Sequence, residues 1–199
     1  MKTIDFYFDF GSTYSFLSVM RISDLAKQYD RQVVYRPILL GPIFKSLGWE
    51  TSPFNMYPIK GRYMWRDLER RAEKWKIKFR KPDIFPANGL QAARVAVANA
   101  KESWCVRFIQ EVFRANFELN LDISKEEVLI SILRQVQNSD PRSILQSSVE
   151  PSNKDKLRQE TELAQKRGIF GAPSFFIQEE MFWGDDRLED AFEWGTGKN

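Results

Sequence analysis

Ile4, Phe6, Phe8 and Phe10 alternate with Asp5, Tyr7 and Asp9 almost from the first residue. A period of two fits a strand with one face on a core. Gly11-Ser12-Thr13 ends the alternation, and Phe16, Leu17, Met20, Leu25 and Ala26 then recur near one face of a helix reaching about Tyr29. Gln32-Val33-Val34-Tyr35-Arg36 reads as a second strand, stopped by Pro37. Strand, helix, strand in that order is a βαβ unit, and a right-handed crossover makes its two strands parallel.

The next strand signals come only near the far end of the chain. From about residue 39 to 164 the pattern is helical, approached through turns at Gly41-Pro42 and Ser52-Pro53. Gly61 to Trp75 carries charges that can pair at three and four residues, such as Asp67 with Arg71. Ala92 to Phe117 reads as one long helical stretch, and Ser124-Lys125-Glu126-Glu127 as a capping box ahead of Val128, Leu129, Ile132, Leu133 and Val136. Asn153 to Arg167 is polar enough for a surface helix, with Gly168 as its stop. Ser174-Phe175-Phe176-Ile177 and Met181-Phe182-Trp183 then form a hairpin around Gln178-Glu179-Glu180, followed by a last helix from Asp186. A β-α-β opening and a β-β-α close, separated by helices, predict an α/β thioredoxin-like fold with a large all-helical insertion. Residues 1–38 and 165–199 would form one discontinuous domain, and residues 39–164 the insertion.

Composition narrows the chemistry. With 199 residues, 43% hydrophobic and 14% aromatic, the chain can bury a sizeable core. Its 30 Lys and Arg against 27 Asp and Glu leave a net charge of +3, too small an excess to imply nucleic acid. The basic run from Arg62 to Lys81, with Trp65 and Trp75 inside it, is diluted by Asp67, Glu69 and Glu73 and reads as a solvated helix face. There is no histidine, which removes Ser/His and Cys/His catalysis, imidazole metal sites and the usual neutral-pH base. Cys105 is the single cysteine, so no intramolecular disulfide or CxxC pair can form; it reads as a small packed hydrophobe. No apolar run near the start resembles a secretory signal and none approaches the ~18 residues of a membrane span, so a soluble cytoplasmic protein is expected, with no metal. The chemistry is left to hydroxyls, carboxylates, Lys, Arg, backbone groups or a borrowed cofactor.

Four places could carry it, each with a plainer alternative. Ser12 sits where the first strand gives way to a helix N-terminus, which favours an anion, and it would equally serve as the helix cap. Ala172-Pro173, after Gly168-Ile169-Phe170-Gly171 and before a strand, is a candidate cis bond; if cis, it leaves the Ala172 N–H and C=O able to pair with an extended peptide. Gly184-Asp185-Asp186-Arg187 could hold an amino-acid zwitterion between carboxylates and helix N–H groups, or simply cap the last helix. The segment from Thr51 to Tyr63 offers Asn55 and Lys60 among aromatic residues and could orient a small organic acid, or be an ordinary surface loop.

The order of these features along the chain resembles a known family. Phe8-Asp9-Phe10-Gly11-Ser12-Thr13-Tyr14-Ser15-Phe16-Leu17 is similar to the D-F-x-S-P-Y-S-Y-L signature of the 2-hydroxychromene-2-carboxylate isomerases and the related kappa-class glutathione transferases. Gly168 to Ser174, Met181 to Arg187, Lys60 to Leu68 and Phe85-Pro86-Ala87-Asn88 resemble further parts of that family, so the likeness spans nearly the whole chain. Thr13 departs from the family's usual proline, where its hydroxyl can add a cap or compete for the same anion, and Glu179-Glu180 stands where a tighter turn is expected.

The resemblance implies a kappa-class or disulfide-oxidoreductase-like architecture and a homodimer. It also implies bound glutathione, laid against Ala172 before a cis Pro173, its γ-glutamyl end on Trp183, Gly184, Asp185 and Asp186, its sulfur at Ser12. Ser12 would then be the catalytic hydrogen-bond donor to a thiolate. That thiolate adds to a bicyclic aromatic carboxylate, opens its ring, permits rotation and leaves, giving a trans-o-hydroxybenzylidenepyruvate-like product. Lys60, Asn55, Asn88 and Phe44 would meet the substrate. A kappa-like transferase that conjugates electrophiles is the nearest alternative activity. A non-catalytic thioredoxin-fold peptide binder is the alternative from another class.

Overall fold

The computed structural model describes residues 3–194; the outermost parts of the discontinuous domain expected above, 1–2 and 195–199, lie outside them. The opening alternation forms β1 (Thr3–Phe8), and the helix and strand after it form α1 (Thr13–Gln28) and β2 (Gln32–Pro37). β1 pairs in parallel with β2, with Ile4 opposite Val33 and Phe6 opposite Tyr35. On its other side β1 pairs antiparallel with β3 (Ser174–Ile177), which carries β4 (Glu180–Trp183) as a hairpin, so the sheet order is β2-β1-β3-β4.

That order places β1 inside the sheet, and the expectation of one buried face falls short. Ile4, Phe6 and Phe8 are fully buried on one side, with Phe6 stacked on Phe175 at 5.3 Å between centroids. Tyr7 is fully buried on the other side, in a second, smaller core with Ile38, Ile43, Ala164, Ile169 and Phe176. An interior strand covered on both faces loses the polar half of its alternation. Asp5 pairs there with Arg36 at 2.8 Å and Arg167 at 3.0 Å.

Between β2 and β3 run α2 (Leu40–Ser46), α3 (Pro53–Met56), α4 (Pro58–Lys74), α5 (Leu90–Ala98), α6 (Cys105–Phe117), α7 (Glu126–Val136), α8 (Pro141–Ser148) and α9 (Pro151–Lys166). The stretch expected as one helix from Ala92 to Phe117 is therefore two. Asn99 ends α5 by donating its side-chain amide to the Val95 carbonyl at 2.9 Å, and short turn bonds carry the chain from Asn99 to Cys105. The helices on either side then pack differently, α5 against α8 and α9, α6 against α1 and α7. The capping box at Ser124 does not form either. Lys125 is the N-cap of α7 without a side-chain bond, and Ser124 turns its hydroxyl to Asp122 at 2.6 Å. Gly168 does end α9, at φ +81, with its own N–H and that of Ile169 closing on the Gln165 and Ala164 carbonyls. The hairpin turn is made by Gln178 at φ +58 and Glu179, so it tightens to two residues without a glycine. After β4 a single 3-10 turn (Asp185–Arg187) leads into α10 (Leu188–Glu193).

Cys105 packs in the main core with its Sγ 3.5 Å from the Ala96 carbonyl, and burial pushes its thiol pKa up to about 12. The reactive form of a thiol is the thiolate. We expect a thiol-specific alkylating reagent at pH 8 to leave native protein unmodified over hours and to label it once in urea; fast labelling of the folded protein would contradict this packing.

Candidate active site

Three chain segments meet at one end of β1. The turn after β1 carries Asp9, whose half-buried carboxylate accepts the Gly11 N–H at 2.7 Å and the Leu40 N–H at 2.8 Å. This ties the β1–α1 turn to the start of α2. Burial raises the Asp9 pKa, while the two amides pull against that shift.

Ser12 follows as the N-cap of α1. Its hydroxyl oxygen accepts the Ser15 N–H at 3.2 Å and its proton goes to the Ala172 carbonyl at 2.9 Å. One hydroxyl thus caps the helix and reaches across 160 residues of sequence. The first-turn amides of Thr13 and Tyr14 have no carbonyl one turn back to bond and lie on the wall of the same cleft. Thr13 does not compete for that end of the helix: its hydroxyl donates to the Met64 sulfur at 3.3 Å.

The Ala172–Pro173 peptide bond is cis, as is Phe85–Pro86. The Ala172 N–H makes no hydrogen bond among the described residues. Behind it the Pro173 carbonyl accepts the Gly184 N–H at 3.0 Å, which joins this turn to the segment after β4. Gly171 has no room for a side chain, since a Cβ there would stand 2.6 Å from the Trp183 indole nitrogen. Trp183, half-exposed, packs against Phe170 with ring centroids 4.7 Å apart and the planes tilted by 59°, and closes that side.

Together these segments line a cleft of about 1350 Å³. Ser12, Ala172, Pro173, Trp183, Gly184, Asp185 and Asp186 all contribute to it, as do Phe44, Lys60 and Asn88. Phe44 packs against Trp49 at 5.6 Å, giving an apolar wall. Lys60 projects from α4 with its ammonium 5.8 Å from the Tyr57 ring. Asn88 accepts the Leu90 N–H with its side-chain oxygen at 3.1 Å, so its amide N–H groups are the ones left to the cleft.

Asn55 does not belong to this wall. It is exposed on α3, where Phe54, one residue earlier, faces the cleft and packs 6.3 Å from Tyr14. Successive helical residues point about 100° apart, so one inward neighbour turns the next away.

Asp185 touches the cleft, but its side chain has no solvent exposure at all. Oδ1 accepts from the Ser18 hydroxyl at 2.9 Å and Arg21 Nη2 at 3.0 Å, and Oδ2 accepts from Arg71 Nε at 2.9 Å and Nη2 at 2.6 Å. A carboxylate offers about four lone-pair sites, and all four are taken. It has none for an incoming ammonium, an expectation that passes to the exposed Asp186 beside it. Asp186 caps no helix: it lies in the 3-10 turn, and α10 begins without a side-chain cap.

Arg71, Asp67 and Tyr14 line the cleft without having been expected there. The i,i+4 spacing suggested that Asp67 and Arg71 pair with each other. Instead Asp67 accepts the Tyr14 hydroxyl at 2.9 Å, while Arg71 crosses to Asp185, 114 residues away. Burial, and then that bond to Asp67, push the Tyr14 phenol well above the ordinary range.

The DsbA-like thioredoxin domain matches residues 3–192. A 2-hydroxychromene-2-carboxylate isomerase of Pseudomonas putida is 30% identical over 93% of this chain and 90% of its own length. The chain belongs to the DsbA-like thioredoxin family, on the branch of these isomerases. The same-named protein of Sphingobium xenophagum is 29% identical over 94% of this chain and 95% of its own. A solved 2-hydroxychromene-2-carboxylate isomerase superposes with a TM-score of 0.86 at 25% identity, covering 94% of this chain and 91% of that one. Glutathione S-transferase kappa 1 of Homo sapiens matches at 24% identity over 94% and 88%. The α/β thioredoxin architecture with its helical middle is thus shared with these DsbA-like isomerases, and the relatives support an isomerase activity. Among the described residues no helix is long and apolar enough to cross a membrane.

Proposed function

We propose that this protein is a glutathione-dependent isomerase acting on a bicyclic aromatic carboxylate of the 2-hydroxychromene-2-carboxylate kind. The observation that carries the reading is the Ser12 hydroxyl bonded to the carbonyl of Ala172, beside an Ala172 N–H that has no hydrogen-bond partner among the described residues. A tripeptide thiol needs a backbone donor and acceptor side by side, plus a donor for its sulfur, and this corner holds all three. With no histidine and one buried cysteine, the chain itself has no ready nucleophile of that kind. Glutathione, when bound, would supply a thiolate able to add to a conjugated carbon and leave again, so that ring opening and rotation become possible.

Ala172 would hold the peptide by strand addition. A ligand N–H laid on its carbonyl competes with Ser12 for that oxygen. Ser12, released from the carbonyl, then points its proton at the sulfur. The Thr13 and Tyr14 amides at the N-terminus of α1 add positive potential at the same spot. Asp186 and Trp183 would receive the γ-glutamyl end. Lys60 would take the substrate carboxylate, Asn88 an oxygen of the bicycle, and Phe44 its apolar face; Asn55, exposed and off the wall, has no part in this proposal.

The reading is tested by titrating the purified protein with glutathione at pH 7 and recording near-ultraviolet thiolate absorbance. A saturable signal is expected, followed by turnover of a hydroxychromene carboxylate in which the glutathione concentration stays constant. Stoichiometric consumption of glutathione would instead favour the conjugating activity in the name of the kappa-class relatives. Absence of any binding would leave a peptide-binding role for the Ala172 edge.

A further inference from the structure

Arg71 is the cleft's least explained charge. Its guanidinium, a quarter exposed, presents Nε and Nη2 side-on to the buried Asp185. That pairing uses one edge of a planar fork with five N–H donors. The end-on edge, made of Nη1 and the second Nη2 proton, makes no hydrogen bond among the described residues, where the guanidinium's bonds both go to Asp185 Oδ2. Asp185 is itself fixed from behind by Ser18 and by Arg21, and Arg21 also pairs with Glu189 and lies 4.2 Å over the Trp75 ring. The fork is therefore held rigidly, and a rigid fork suits the two parallel bonds of a carboxylate.

From this we infer that Arg71 forms a carboxylate subsite that binds the amino-acid end of the cleft's ligand through its end-on edge. The inference rests on the glutathione reading and assigns its γ-glutamyl α-carboxylate to Arg71. The position argues for that end of the ligand. Asp185 links Arg71 to the Gly184–Asp186 segment, whose Gly184 N–H is bonded to Pro173, and the exposed Asp186 stands beside it for the ammonium. A cation and an anion fixed side by side match a zwitterion and would gain little from an isolated carboxylate. Lys60, on the first turn of the same α4 and about three helical turns from Arg71, remains for a second carboxylate.

The test compares glutathione with 4-aminobutyryl-cysteinylglycine, which keeps the amine and lacks only the α-carboxylate, by calorimetry on wild-type protein and on Arg71→Lys. Wild type is expected to bind the analogue about 10–100-fold more weakly, as for a lost charge-assisted pair. Arg71→Lys should lose a similar factor on glutathione and little further on the analogue. Equal losses for Arg71→Lys on both ligands would overturn the subsite. So would a wild-type penalty that appears only when the glycyl carboxylate is amidated, since the carboxylate would then be the other one. A KM for the aromatic carboxylate that does not rise in Arg71→Lys at saturating glutathione separates this subsite from a substrate site; a raised KM with unchanged glutathione affinity would overturn it in favour of the substrate. The wild-type comparison involves no substitution, so it stands even if loss of Arg71 weakens the fold. Failure of wild type to bind glutathione at all would instead remove the cofactor reading itself.

Discussion

Ser12→Ala is expected to keep glutathione affinity within a few-fold while turnover at pH 7 falls by about 10–100-fold, because the thiolate it stabilises is the reactive form of the cofactor. A free thiol with a pKa of ~8.5 is only a few per cent ionised at pH 7. A hydrogen bond to a charged acceptor contributes about 1.5–3 kcal/mol, and one pKa unit corresponds to about 1.4 kcal/mol, so the Ser12 hydroxyl accounts for roughly one to two units. The sign follows from the charged form being the one stabilised: the bound thiol titrates lower than free glutathione, and in the variant its midpoint moves back up by that amount. The variant's rate should therefore recover as pH is raised, approaching the wild-type rate most closely above pH 9. Part of the stability should also go, about 1 kcal/mol, because the same oxygen caps α1 through Ser15. Ser12→Thr keeps the hydroxyl and the cap and should retain most of the thiolate absorbance. An Ser12→Ala protein with an unshifted thiolate titration would show that the α1 N-terminus alone sets the sulfur's charge.

Much of this corner can be read from the chain, because its parts are local. Alternation from Ile4 to Phe10 and the break at Gly11 place Ser12 at a helix start whatever the rest of the chain does. Gly168 and the Phe-rich run after Pro173 likewise locate β3 by short-range signals. What spacing could not supply is the partner of each charge. Asp67 and Arg71 satisfy an i,i+4 rule worth a few tenths of a kcal/mol, and a buried carboxylate across the molecule outweighs it easily. The split at Asn99 is of the same kind. No glycine or proline marks it, and the helices on either side follow different packing partners. Alternation puts Tyr7 on the polar side, because it cannot tell a central strand from an edge until β3 is known to pair with β1. The segment from Thr51 to Tyr63 offers Asn55 as an amide for a ligand, and one helical step of about 100° is enough to remove it from the wall.

Asp185→Ala is expected to cost about 3–5 kcal/mol of folding free energy, more than any other single change in the cleft. The reasoning is one of unpaired charge. The carboxylate is fully enclosed and accepts four hydrogen bonds, from Ser18, Arg21 and both Nε and Nη2 of Arg71. Removing it leaves Arg21, itself largely buried, with Glu189, the backbone carbonyl of residue 185 at 3.2 Å and an aromatic face but without the carboxylate that balances its charge, and takes from Arg71 both of its hydrogen bonds. Asp185→Asn preserves shape and the Ser18 contact but still takes away the negative charge, so it should recover only part of the loss. Urea unfolding at pH 7 measures both, as a drop in midpoint at unchanged slope. A ligand-binding acid behaves otherwise: its removal weakens binding and leaves the midpoint nearly where it was. If Asp185→Ala unfolds within about 1 kcal/mol of wild type and merely binds glutathione poorly, then Asp185 meets the ligand directly and the rigid fork assigned to Arg71 loses its foundation. Asp186→Ala supplies the contrast, since among the described residues its exposed side chain has a single, long ion pair, with Arg187 at 3.8 Å. That variant should keep its stability and lose affinity for the γ-glutamyl ammonium, so the two neighbouring acids separate cleanly into one that builds the site and one that meets its ligand.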